Sequence, residues 1–96
     1  MNRYLLLMRD SPRDEDTAEW ASYLARLRAT GSFDGGSSIG SGVRVTIEGA
    51  EIEVRDDLVG YLLVRAESVN EARSFLGGNP TFEAGGAVEI RELLLD

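Results

Sequence analysis

The sequence predicts an α+β domain with the element order β-α-β-β-α-β and a four-stranded antiparallel sheet. Three observations carry this expectation. Tyr4 to Met8 and Tyr61 to Val64 are continuously apolar, as strands buried on both faces are. Each is followed by helix-start chemistry, Ser11-Pro12 after the first and Ser68-Val69-Asn70-Glu71 after the second. The closing segment from Ala87 to Leu95 sets Val88 and Ile90 in alternation with Glu89 and Arg91, which is a strand pattern of period two.

Taken in order, residues 3 to 9 form a first, central strand. Ser11 is placed to cap a helix, with Pro12 at its first position and Asp14, Glu15 and Asp16 facing the positive end of its dipole. Thr17, Trp20, Ala21, Leu24 and Leu27 then recur at spacings of three and four, and Gly31 stops an amphipathic helix of about four turns. Gly31 to Gly42 is rich in Gly and Ser and reads as a loop. Val43, Val45 and Ile47 alternate with polar residues as a half-exposed strand, Glu48-Gly49-Ala50 can turn it back, and Glu51 to Arg55 either completes a hairpin or leads onward. Leu58 begins the strand that ends at Ala66, and Ser68 caps a helix burying Val69, Ala72, Phe75 and Leu76 before Gly77-Gly78. Pro80 bars its continuation, and a small, polar connector leads to the last strand.

Composition excludes more than the motifs establish. The 96 residues, taken as one domain spanning 1–96, carry a net charge of −7, so there is no positive field to draw in nucleic acid or an anionic membrane surface. All ten basic residues are Arg, and Lys, His and Cys are absent. Thiolate chemistry, Schiff bases, a Walker-type phosphate loop and a Ser-His-Asp relay are therefore unavailable. Proton transfer falls to carboxylates, Tyr or water. No cofactor is expected and no metal site, since Asp14-Glu15-Asp16 and Asp56-Asp57 lack calcium-loop spacing and read as solvated turn charges. The longest early apolar run is too short for a signal peptide or a membrane span, and the expected setting is cytoplasmic.

A sheet with two-faced strands needs two covers, and two helices on one face supply one. The second is expected from a copy of the same chain, packed sheet to sheet across a two-fold axis to give a homodimer with a barrel-like space inside. On the last strand Val88 and Ile90 suit the helix-covered core, leaving Glu89 and Arg91 for the inter-sheet space. On the third strand Leu62 and Val64 suit the core, so Tyr61, Leu63 and Arg65 share the other face. Arg65, Glu89 and Arg91, with Tyr61 beside them, are thus candidate ligands for a polar or anionic small molecule, or a charge set that fixes dimer register. Trp20 is either core packing on the stripe of Leu24 and Leu27 or an aromatic wall for a ligand. Asp10 is either a functional carboxylate at the strand end or ordinary turn chemistry.

The start MNRYLLLMRD, the helix with Trp20-x-x-x-Leu24-x-x-Leu27, Gly35-Gly36-Ser37, the stretch GYLLVRAESVNEA with Pro80 beyond, and the closing VEIREL resemble together the YCII-related proteins, in particular the DGPF-domain branch. The resemblance covers nearly the whole chain and implies a ferredoxin-like, dimeric α+β barrel. Where the branch carries Asp-Gly-Pro-Phe, this sequence reads Glu48-Gly49-Ala50-Glu51. Members proposed to be catalytic carry an Asp at the end of the first strand and a His in the first helix. Asp10 matches the Asp, and Trp20 stands where the His would be. The sequence therefore favours a non-catalytic dimer that binds a small molecule or acts as a regulatory accessory, the alternative being a hydrolase, dehydratase or isomerase with Asp10 or Glu89 as base.

Overall fold

The two apolar runs lie side by side at the centre of the molecule. In the computed structural model, which describes residues 1–94, β1 (Asn2–Arg9) pairs antiparallel with β5 (Leu58–Ala66), Leu5 opposite Leu63 and Leu7 opposite Tyr61. β6 (Val88–Leu93) flanks β1 on the other side, and β2 (Phe33–Ser38) flanks β5. The sheet order is β2-β5-β1-β6, every pairing antiparallel, which is the expected ferredoxin-like arrangement. The anticipated end of the last strand at Leu95 lies outside the described residues.

Alternation sorts the strands cleanly. Tyr4, Leu6 and Met8 of β1 and Leu62, Val64 and Ala66 of β5 are buried, and against them pack Tyr23 and Leu27 of α1 (Glu19–Ala29) with Ala72 of α2 (Val69–Ser74) and Leu76. Val88 and Ile90 join this core from β6, as their parity requires. The molecule is only 18 Å across its thinnest direction, two layers and no more. On the opposite face of the sheet Leu5, Leu7, Leu63 and Leu93 are only half-buried, and among the described residues none forms a layer over them.

Several local expectations are corrected. The helix does not begin at Ser11-Pro12: the Ser11 hydroxyl donates to the Arg13 carbonyl (2.9 Å), and a turn through Asp16 and Thr17 leads into α1 at Glu19. The eleven residues of α1 make about three turns, with Trp20, Tyr23, Leu24 and Leu27 as the inward stripe. Thr17 and Ala21, expected on that stripe, are exposed. Within the expected loop from Gly31 to Gly42, β2 is an edge strand. Its backbone joins β5 in a ladder continued by the Arg65 N–H to the Ser32 carbonyl (2.8 Å) and the Ile39 N–H to the Val59 carbonyl (2.9 Å). A Gly-Ser strand held by its backbone leaves no apolar period to read. It takes the place in the sheet expected for residues 43 to 48.

Those residues instead form β3 (Gly42–Val45), which pairs only with β4 (Glu51–Val54) in a separate two-stranded hairpin. Val43, Val45 and Ile52 are exposed on it, and Ile47 near its tip is 99% exposed. Ser68 caps α2 as anticipated, accepting from the Glu71 N–H (3.2 Å), but Val69 is exposed and not buried. The connector after Gly78 contains a further helical turn, α3 (Pro80–Glu83), with Pro80 at its start and the Asn79 side chain accepting from the Phe82 N–H (3.0 Å).

Candidate functional site

A cavity of about 570 Å³ opens between α1 and the β2–β5 side of the sheet. Trp20, Leu24 and Arg28 border it from α1, at spacings of four that put them on one helical stripe. Met8, Val59 and Leu62 form its sheet side, and Phe33 and Gly36 line it from β2. Gly36 is required there: a Cβ at this position would sit 2.5 Å from the Tyr61 carbonyl oxygen and 2.9 Å from a Leu62 methyl carbon. Its bare backbone lets the edge strand close against β5.

One end of the cavity is polar and built with care. Glu15, brought back by the irregular segment before α1, accepts from the Trp20 indole N–H on one oxygen (3.0 Å) and from the Thr81 hydroxyl on the other (2.9 Å). Thr81 is 1% exposed and sits on α3, whose position depends on the Asn79 cap. Gly86 allows that approach, since a Cβ there would lie 2.7 Å from the Arg9 carbonyl oxygen and 2.9 Å from that of Thr81. Both carboxylate oxygens are thus oriented by a donor, and each retains a lone pair for a ligand. Trp20 is steadied further by an edge-on contact with Tyr23, ring centres 5.8 Å apart. At the other end the Arg28 guanidinium lies 5.6 Å from the centre of the Phe33 ring. Among the described residues, Glu15 and Arg28 are the charged groups lining the cavity.

The sequence candidates fall on two faces. Trp20 is in the cavity wall; Tyr61 borders the cavity beside Gly36, yet its strand parity is that of Leu63 and Arg65, so it belongs with them to the open face as expected. Arg65, Glu89 and Arg91 lie on the open face of the sheet, but not as one cluster. Arg65 donates from Nε to both Asp34 oxygens (3.1 and 3.0 Å), whereas Glu89 pairs with Arg9 (3.0 Å) and Arg91 (3.6 Å). Arg9 also binds Asp57 (3.0 Å). Desolvation acts to lower the Arg9 pKa, and the two carboxylates outweigh it, so the net direction is upward. Asp10 is exposed in the turn after β1, where its carboxylate accepts from the Ser11 N–H (3.1 Å); it does not line the cavity. Among the described residues no group of three or more His, Cys, Asp or Glu could hold a metal ion, and no helix is long and apolar enough to cross a membrane.

Sequence reasoning missed Glu15, Thr81 and Arg28. Glu15 stood in an acidic run with nothing to single it out, and Thr81 lay in an assumed connector. One signal was present: a half-buried Trp needs an acceptor for its indole N–H, and carboxylates stood just upstream.

No curated relative matches the chain. Among solved structures it is similar to 5-chloro-2-hydroxyhydroquinone dehydrochlorinase from Burkholderia phenoliruptrix, solved in complex with 2,5-dihydroxybenzoquinone. That likeness has a TM-score of 0.62 at 22% identity, over 98% of this chain and 95% of that one. It overturns the expectation of a non-catalytic accessory, because a protein sharing the fold from end to end is an enzyme. The expectation rested on Trp20 standing in place of a His. The structure sets a carboxylate, Glu15, against that same Trp20. The YCII-related domain matches residues 2–95, and the chain belongs to that family.

Proposed function

We propose that the protein is an acid–base enzyme catalysing elimination or isomerisation of a small oxygenated ring, with Glu15 as the general base. The observation that carries this reading is the Glu15 carboxylate, oriented by the Trp20 indole and the Thr81 hydroxyl at the wall of a partly apolar cavity. In the reaction, a Glu15 oxygen removes a proton from the substrate. The electron pair left behind forms the new double bond, and a leaving group departs with its own pair from the adjacent carbon; in an isomerisation the proton returns at a second position instead. No redox partner is needed. Trp20 and Phe33 offer aromatic surface to a flat ring, and the dehydrochlorinase of the same fold, solved with a dihydroxybenzoquinone, supports both reaction class and ring substrate. Asp10 and Glu89 are not the bases in this reading, since neither borders the cavity and both are engaged elsewhere. A cytoplasmic setting belongs to the same reading, supported by a net charge of −7 that offers no attraction to anionic lipid.

The test is Glu15→Gln in a screen of halogenated and hydroxylated ring compounds, followed by proton release and by solvent deuterium exchange. Turnover is expected to fall by roughly 100-fold or more, the usual share of a general base, with the melting temperature little changed. Asp10→Asn and Glu89→Gln are expected to leave it intact. Full turnover in Glu15→Gln would sink the assignment.

We also propose that a second copy covers the open sheet face, giving the homodimer anticipated from the sequence. The supporting observation is that Leu5, Leu7, Leu63 and Leu93 are only half-buried on a face that no layer of the described residues covers.

A further inference from the structure

We infer that Arg28 is an anion clamp, and that the cavity selects flat, ring-bearing molecules carrying one anionic group, a carboxylate or an ionised hydroxyl, at the end remote from the reacting carbon. This deepens the proposed function and rests on it for the position of the reacting end. The cavity is polarised along α1. Trp20 and Arg28 are eight residues apart on the same stripe, about 12 Å along the axis at 1.5 Å per residue. Glu15 is tied to Trp20, so the one carboxylate and the one guanidinium among the described lining residues stand at opposite ends. Leu24 lies midway between Trp20 and Arg28 on the stripe, Met8, Val59 and Leu62 add apolar lining from the sheet, and Arg28 stands over the Phe33 ring. A monocyclic ligand fills that span with its ring on the apolar middle and its charge on Arg28.

Arg28 is also available. Among the described residues Arg28, like Arg3, Arg13, Arg26, Arg44 and Arg73, has no carboxylate within 4 Å, and of these it is the one that lines the cavity. Contact with the Phe33 face orients the guanidinium without consuming its N–H groups. An anion placed next to Glu15 meets repulsion, so the two ends also fix which way round the substrate enters.

Calorimetric titration of the full chain with 4-hydroxybenzoate and with its neutral isostere 4-hydroxybenzamide tests this. The wild type is expected to bind the carboxylate about tenfold more tightly, a preference of about 1.4 kcal/mol. Arg28→Gln abolishes the preference, and Arg28→Lys keeps part of it. Raising the salt concentration erodes it in the wild type, as befits an exposed cation, and this arm needs no variant to fold. Equal binding of the two compounds by the wild type overturns the clamp, as does a preference that survives Arg28→Gln or no saturable binding of either. Glu15→Gln separates the two claims. If it retains turnover while Arg28→Gln still loses charge preference, the base assignment fails and the clamp stands. If it loses turnover while Arg28→Gln keeps the preference, the reverse holds.

Discussion

Tyr23 shows how much one side chain carries in so thin a molecule. Its ring belongs to the core, and its hydroxyl donates to the Phe75 carbonyl (2.8 Å) at the end of α2, joining the two principal helices. Burial pushes its pKa above the ordinary phenol value. Because the folded value is raised, the associated stability is fully present below the unfolded pKa of about 10 and is lost as pH rises through the folded value. Thermal melts above pH 9 are therefore expected to show a steep alkaline decline. Tyr23→Phe is expected to flatten that decline while costing about 1 kcal/mol at neutral pH for the lost hydrogen bond. An unchanged alkaline slope in the variant would place the titration elsewhere. The candidate site turns on a comparable individual contact. In sequence Glu15 stands in one acidic run with Asp14 and Asp16, and the fold is what selects it as the carboxylate set against Trp20 and Thr81.

At the scale of elements, what was legible depended on whether side chains or backbone hold each piece. β1, β5 and β6 declare themselves by their apolar pattern, and α2 by its capping box. Ser68→Ala is accordingly expected to cost about 1 kcal/mol in urea unfolding. β2 was not legible because its ladder with β5 places no demand on side-chain type except the absence of one at Gly36. α3 was hidden because four residues give no period, although Asn79-Pro80 is a sound helix start. The base and its hydroxyl partner sit on the illegible parts, the lead-in to α1 and α3, so the fold could be read further than the site. Gly86→Ala probes that dependence. The added methyl meets Arg9 and Thr81 backbone and must push α3 away from Glu15. Turnover is expected to drop more than the loss of stability explains, read as rate per folded protein by circular dichroism.

The whole molecule is a slab with one finished face. Leu63→Glu, a charge set opposite Leu5 on the open side, is expected to give monomers in sedimentation where the wild type gives dimers at micromolar concentration. A wild type that sediments only as monomer removes the dimer proposal. Trp20 and the cavity belong to the opposite, helix-covered side, so loss of the dimer need not abolish ligand binding. The position of β1 at the sheet centre also bears on how the chain reaches this state. Its partners lie far along the sequence, with Arg3 opposite Arg65 on one side and Leu93 on the other. Leu5, Leu6 and Leu7 meet their β6 partners Arg91, Ile90 and Glu89 more than eighty residues further on, so both ladders close only once segments this far apart in sequence have met. Such long-range pairing slows folding in general, and until both ladders close the leucines of β1 are open to the same leucines of another copy, the contact that the open sheet face also offers in the finished fold.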